Sequence, residues 1–224
     1  GPHAVTLIDD GGRVYTAAKP EVFAVEEAGP MRVCVRVEVR HRAKSGQTLF
    51  RSIFRFQFYA GQSRVRCFHM VENDNEETPF TSIRSLALHA AFDPEVSGEV
   101  SCEGADAVPM GQSTLRLTQF HDAAWALHRD NRVLRKGARA VGTATLAGDS
   151  GCVAFAVRDF WQNYPKAISL DGKGITFDIC PELPRDIYPT EGELEDRLFY
   201  WYDEGSYRLK RGMAKTHEFW FDFA

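Results

Sequence analysis

Residues Arg32 to Val71 alternate apolar and polar side chains almost without interruption, and this pattern constrains the fold more than any other feature of the chain. Val33, Val35, Val37 and Val39 fall on one side of an extended backbone, and Arg32, Arg36, Glu38 and Arg40 on the other. Successive strand side chains point to opposite faces, so this run reads as a strand with one face in a core and one in water. After a turn at Ser45-Gly46-Gln47, Phe50, Phe54, Phe56 and Phe58 share a face opposite Arg51, Arg55 and Gln57. A second turn, Ala60-Gly61-Gln62-Ser63, leads to a run in which Val65, Cys67, His69 and Val71 oppose Arg64, Arg66, Phe68 and Met70. Three long strands with short turns make an antiparallel meander, and the four Phe are expected in the core beneath it.

The same period returns along the chain. Strands are expected over 81–92, 113–120, 138–146, Cys152 to Arg158, Ile175 to Ile179 and Met213 to Phe223. Residues 122–135 fit either a strand pair around Trp125 or one short helix. Residues 72–80 form a loop, and Gly98 and Gly104 punctuate a hairpin. Pro181, Pro184 and Pro189 forbid regular structure, and 191–200 is the best helix candidate. The expected fold is all-β: a large antiparallel β-sandwich of two sheets, of the super-sandwich type, with about a dozen strands and very little helix. A length of 224 residues suits one such sandwich. Gly1-Pro2-His3 has the look of a protease-cleavage remnant, which leaves 4–224 as the expected single sandwich domain.

Charge narrows the partners. Lys and Arg total 27 against 31 Asp and Glu, a formal net charge of −4. No excess of cations gathers a phosphate backbone, so nucleic acid is excluded as an expected partner. No run approaches the roughly 20 apolar residues of a membrane-spanning helix, so no membrane partner is expected. The five Cys (Cys34, Cys67, Cys102, Cys152, Cys180) are widely spaced with no C-x-x-C pair, which argues against a zinc site. They read as buried free thiols, with a disulfide left open for an exported protein.

The densest chemistry lies in Arg158-Asp159-Phe160-Trp161-Gln162-Asn163-Tyr164-Pro165-Lys166. Trp161 can stack on a sugar ring, Gln162 and Asn163 can bind its hydroxyls, and Arg158 or Lys166 can pair with a carboxylate. The competing reading is a strand crossover whose rings fill the sandwich edge. In Lys215-Thr216-His217-Glu218, His217 has the residue type for acid–base work, or for a hydrogen-bonded structural role. The acidic turn 72–77 could hold a structural Ca²⁺, but it lacks the glycine and the twelve-residue frame of an EF-hand. A solvated turn is the alternative. No other cofactor is expected, and no metal site.

Three segments together resemble a known family. They are Phe58-Tyr59-Ala60-Gly61 with Arg64-Val65-Arg66 and Glu72-Asn73, the Arg158–Lys166 run, and Gly212-Met213-Ala214-Lys215-Thr216-His217-Glu218. The set resembles the central β-sandwich domain of the exo-rhamnogalacturonan lyase-like (YetA-like) family, over roughly residue 20 to the end. The resemblance implies a protein with a small N-terminal barrel and a C-terminal helical toroid, of which this chain is the excised central domain. It implies β-elimination on a uronic-acid-containing, rhamnogalacturonan-like glycan, in pectin degradation by a secreted or periplasmic parent. The partner is then an acidic polysaccharide or oligosaccharide. Tyr164, Lys166, His217 and Arg158 supply the residue types for base and carboxylate-neutralising cation. Trp161, Gln162 and Asn163 would touch substrate. The isolated chain is expected to be inactive. The alternatives are a non-catalytic carbohydrate-binding or scaffold sandwich and a mutarotase-like domain.

Overall fold

The computed structural model describes residues 4–92, 96–104, 106–149, 151–188 and 201–223; of Trp201 and Asp203 it describes the backbone only. The helix candidate at 191–200 lies outside the described residues. Among those described, every regular element is a strand.

In chain order the strands are β1 (Val5–Asp9), β2 (Val14–Ala17), β3 (Val22–Ala28), β4 (Arg32–Ala43), β5 (Thr48–Tyr59), β6 (Arg64–Glu72) and β7 (Phe80–Ala91). Then come β8 (Ser97–Ser101), β9 (Ala107–Pro109), β10 (Leu115–His121), β11 (Ala124–Arg129), β12 (Arg132–Gly137) and β13 (Thr143–Gly148). The last are β14 (Gly151–Val157), β15 (Lys166–Asp171), β16 (Gly174–Cys180), β17 (Trp201–Asp203), β18 (Ser206–Lys210) and β19 (Ala214–Phe223). Residues 122–135 thus resolve as the strand pair β11–β12. Gly98 lies inside β8 rather than at a turn, and it is a glycine where a Cβ would meet the Leu146 side chain of β13 at 2.6 Å.

All pairings are antiparallel. One sheet runs β3-β4-β5-β6-β19-β14-β13-β8-β9. The other runs β12-β11-β10-β15-β16-β7-β1, with the β17–β18 hairpin beside β16 on the same edge of β7. β2 pairs with both β1 and β4 and stitches the sheets into one hydrogen-bonded network at a corner. The architecture is a large antiparallel β-sandwich.

The two inner faces meet through aromatic rings. Phe177 of the second sheet stands 6.0 Å from Phe155 and 5.9 Å from Phe219 of the first, centroid to centroid. The outer face of the first sheet is a ladder of ion pairs: Glu26 with Arg36 and Arg55, Glu38 with Arg36 and Arg51, Glu72 with Arg51. The period-two reading of β4 to β6 therefore holds, with one correction. Phe50 is fully buried and Phe54 and Phe56 are partly buried, but Phe58 is 44% exposed. The inner face of β3–β5 extends past the second sheet there, and Phe23, at 74%, and Val25, at 57%, are exposed beside it. A cavity of about 540 Å³ opens between the sheets, walled by Phe54, Phe56, Phe155, Phe177, Phe219 and Phe221.

Candidate functional site

The segment between β14 and β15 is pinned by one buried ring. Phe160 packs against Gly142, where even a Cβ would come within 2.3 Å of the ring. Asp159 turns the chain at φ 51, and its carbonyl accepts from the Asn163 backbone N–H at 3.0 Å and from Asn163 Nδ2 at 2.9 Å. The Tyr164–Pro165 bond is cis. This tight loop breaks the strand alternation and sends its side chains three ways.

Arg158 goes outward. Its side chain is 55% exposed, donates to Glu218 Oε2 at 3.3 Å and lies 3.6 Å from Asp159 Oδ2. Glu218 also takes Arg66 Nε at 2.6 Å, so Arg158 joins the outer ion-pair ladder. At the loop's tip Gln162 is exposed and Trp161 half-buried. The Arg139 guanidinium, from the segment after β12, stands 4.3 Å from the Trp161 ring centroid, within cation–π range.

Tyr164 and Lys166 go inward. Tyr164 is buried, with its ring 5.6 Å from that of His121. Lys166 is fully buried, and Nζ donates to the Pro165 carbonyl at 3.0 Å and the Ile179 carbonyl at 2.8 Å. Burial pulls its pKa down to about 7, and Lys215 adds a smaller push in the same direction. A neutral amine still has N–H bonds for both carbonyls, so the site suits the uncharged form.

His217 lies on the inner face of β19, also buried. Its ring stands 6.5 Å from His69 and 6.4 Å, edge-on, from Phe177. Neither ring nitrogen has a hydrogen-bond partner among the described residues. Burial, then the positive field of Lys166, holds its pKa well below the usual histidine value. Beside it runs a polar chain that the sequence reading did not single out. His41 Nε2 is 2.8 Å from Ser52 Oγ, which is 2.7 Å from His69 Nε2, and all three residues are fully buried.

The structure therefore buries Lys166 and His217 near enough for a charged Lys166 to depress the His217 pKa, keeps Trp161 and Gln162 at the surface, and leaves Arg158 on the outer face. Lys166 and His217 are poor direct acids or bases for a soluble substrate, because solvent does not reach them. Sequence reasoning missed Arg139 and Glu103. Glu103 Oε1 accepts from Trp125 Nε1 at 2.7 Å, Ala138 N at 2.8 Å and Arg139 N at 3.0 Å, and so fixes the turn that carries Arg139. No local pattern marks either residue. In the acidic turn, Glu72 pairs with Arg51 and Asp74 with Arg40, while Asn73 and Asn75 side chains cap the backbone of Asn75 and Glu77.

The family model described as the PcRGLX-like protein central beta sandwich domain matches residues 13–95 and 130–177, more than half of the chain, including the whole Arg158–Lys166 run. The chain belongs to this family and is its central β-sandwich domain. No match is found among curated protein sequences. Among solved structures it is similar to the galactosidase domain of the α-galactosidase-sucrose kinase AgaSK, with TM-score 0.54 and 10% identity. It is also similar to the GH36 α-galactosidase AgaA from Geobacillus stearothermophilus, with TM-score 0.52 and 8% identity. Both likenesses cover 100% of this chain and 30% of theirs, so this chain spans under a third of those proteins. At such identities they speak for the fold.

Proposed function

We propose that this chain is the central sandwich of a protein that cleaves a uronic-acid-containing, rhamnogalacturonan-like glycan by β-elimination, and that the sandwich forms one wall of the substrate cleft. The observation that carries this reading is the Trp161–Arg139 stack. A half-exposed indole, a guanidinium 4.3 Å from its ring centre and the exposed Gln162 amide lie together at the loop's tip. An indole face packs on a pyranose ring, a guanidinium pairs with a carboxylate in bidentate fashion, and an amide binds hydroxyls. Family membership supports the same direction.

β-Elimination needs a cation on the C6 carboxylate, a base for the C5 proton and an acid for the departing O4. Arg139 and Arg158 are the surface cations available here. Tyr164, Lys166 and His217 lie behind the surface, and in this arrangement they serve as positioning residues for the loop. The base and the acid are then contributed from elsewhere in the parent. A second reading, a scaffold without glycan contact, is favoured by one observation: Lys166 spends its amine on two backbone carbonyls.

The test is formation of the unsaturated product, followed by its ultraviolet absorbance, in the intact parent. Trp161→Ala and Arg139→Ala should each raise KM at least tenfold. Tyr164→Phe and Lys166→Met should act through stability, leaving kcat of the folded fraction near wild type. Unchanged KM in both surface variants would leave the scaffold reading in place.

A further inference from the structure

The cavity between the two sheets has an almost wholly apolar wall. Of the described residues that line it, only His89 carries a polar side chain, and its ring nitrogens are spent on Thr176 Oγ1 at 3.0 Å and Thr6 Oγ1 at 3.1 Å. The rest of the wall is Phe, Val, Leu, Ile, Ala and Pro, around a volume of about 540 Å³. Water gains no hydrogen bond from such a wall, and an unfilled space forfeits the dispersion contacts of its lining. An apolar hollow of this size is the form of a small-molecule site.

The rings offer no flat slot. Phe155 is tilted by 42° to Phe221 and by 58° to Phe177, and Phe177 by 63° to Phe219. Phe54 and Phe56 are parallel within 5°, but they stand side by side on β5 with centroids 5.8 Å apart. None of these pairs can sandwich a planar ring, so the wall suits a flexible chain that follows its relief. The apolar surface also runs outward, since the exposed Phe23 stands opposite Val37 in register, and Val37 opposite Phe54.

The rim of the cavity selects the other end of the ligand. Ala17, Ala18 and Pro20, in the link from β2 to β3, form one lip, and Lys19 stands exposed in the middle of it. Ala18 also lines an adjoining groove of about 900 Å³. That groove carries Arg13, Lys19, Arg42 and Lys44 against a single carboxylate, Glu21, which lies 3.5 Å from Arg40. The chain as a whole has a formal charge of −4, so this positive rim is a local feature. Exposed cations alone would select nothing; beside an apolar cavity they select an anion that carries a hydrocarbon tail. We propose that the sandwich binds one long-chain fatty acid, with the acyl chain between the sheets and the carboxylate at Lys19 and Arg42. The site shares no residue with the Trp161 loop and stands or falls apart from the glycan-directed reading.

The experiment is titration of the chain with dodecanoate below its micellar concentration, followed by calorimetry and by NMR of the aromatic side chains. Dodecanol, the same tail without the charge, and butanoate, the same head without the tail, are the controls. The expected result is one dodecanoate per chain, with the ring resonances of Phe54, Phe56 and Phe177 moving on binding. Dodecanol should bind at least tenfold more weakly, and butanoate should leave those rings unmoved. The double variant Lys19→Glu, Arg42→Glu changes two exposed positions and should weaken dodecanoate binding at least tenfold with the melting temperature unchanged. Val37→Phe narrows the cavity and should weaken binding from the inside; should that variant fail to fold, the ring shifts of the wild-type chain still report whether the tail enters. No binding by the wild-type chain, binding without movement of those rings, equal affinity for dodecanoate and dodecanol, or unchanged affinity in the double variant each overturns the proposal. So does binding to anionic phospholipid vesicles with none to monomeric dodecanoate, which would make the rim a membrane-facing surface.

Discussion

His69 and His217 are register partners across β6 and β19, and their rings stack with centroids 6.5 Å apart and planes 26° apart. Burial holds His69 down to about 3 and, two strands away, His41 down to about 4. His217 lies well below its usual value for the same reason, reinforced by Lys166. In the unfolded chain each imidazole titrates near 6.5. Below that pH the unfolded state binds protons that the folded state refuses. Stability should therefore be fully present above about pH 6.5 and decline as pH falls toward 4, by up to about 1.4 kcal/mol per pH unit for each imidazole. Urea midpoints measured from pH 7.5 to 4.5 check this; a flat midpoint across that range would mean that the three rings are not buried neutral.

Lys166 gives the opposite edge of the profile. Its folded pKa is pulled down to about 7, while an unfolded lysine titrates near 10.4. Between these values the unfolded chain holds a proton that the folded chain has released, so Lys166 adds stability as pH rises from 7 toward 10. Lys166→Met should remove that rise relative to wild type. It should also cost about 1–3 kcal/mol near pH 9, because the Pro165 and Ile179 carbonyls lose their donor. Paired denaturant melts at pH 7 and pH 9 separate the two effects.

The phenylalanines of β5 should divide sharply. Phe50 has no exposed surface and Phe58 is 44% exposed. Phe50→Ala should cost about 3–5 kcal/mol, as for a buried phenylalanine. Phe58→Ala should cost less than about 1 kcal/mol. Equal losses in urea melts would show that the rim of the β3–β5 face is covered in solution.

This division marks what the sequence could tell. Alternation placed β4, β5, β6 and β19 within a few residues of their ends, because each strand has one wet face and one dry face. It did not reveal β1, β2 and β3, which are short or, in β3, interrupted by a bulge between Val25 and Glu27. It also could not tell how far the opposing sheet reaches, which is what exposes Phe58. At the loop, the residue types were legible from Arg158 to Lys166 but their directions were not. The turn at Asp159 breaks the period, and the partners that bury Lys166 include a carbonyl on β16, thirteen residues away. Alternation put His69 on the apolar face, but the His41–Ser52–His69 chain stayed hidden because alternation assigns faces and does not name cross-strand partners.

The thiols offer a check on burial. None of the five cysteines is in a disulfide; four are buried and Cys152 is half-buried. Burial pushes Cys67 up to about 12 and Cys102 up to about 11, so neither supplies thiolate at neutral pH. A thiol reagent at pH 8 should modify Cys152 first, by mass spectrometry, with the other four reacting only in denaturant. Fast native modification of Cys67 would contradict the core described here.

Glu103 should control the glycan-facing stack without touching it. Its Oε1 atom collects three N–H groups, two of them from the backbone of Ala138 and Arg139. Those bonds hold its carboxyl below the usual carboxylate range, the Trp125 indole contributing most. They also set where the Arg139 guanidinium stands over Trp161. Gly137 is part of the same clamp, since a Cβ there would lie 2.6 Å from Glu103 Oε1 and from the Trp125 ring. Glu103→Ala should therefore free the Arg139 segment while Trp161 and Arg139 both remain. On the proposed reading it should weaken uronate binding severalfold and move the Trp161 indole N–H resonance in NMR spectra, and Glu103→Gln, which keeps a single carbonyl acceptor, should retain part of both. Full binding in Glu103→Ala together with an unchanged Trp161 indole resonance would show that the Arg139–Trp161 contact does not depend on the clamp.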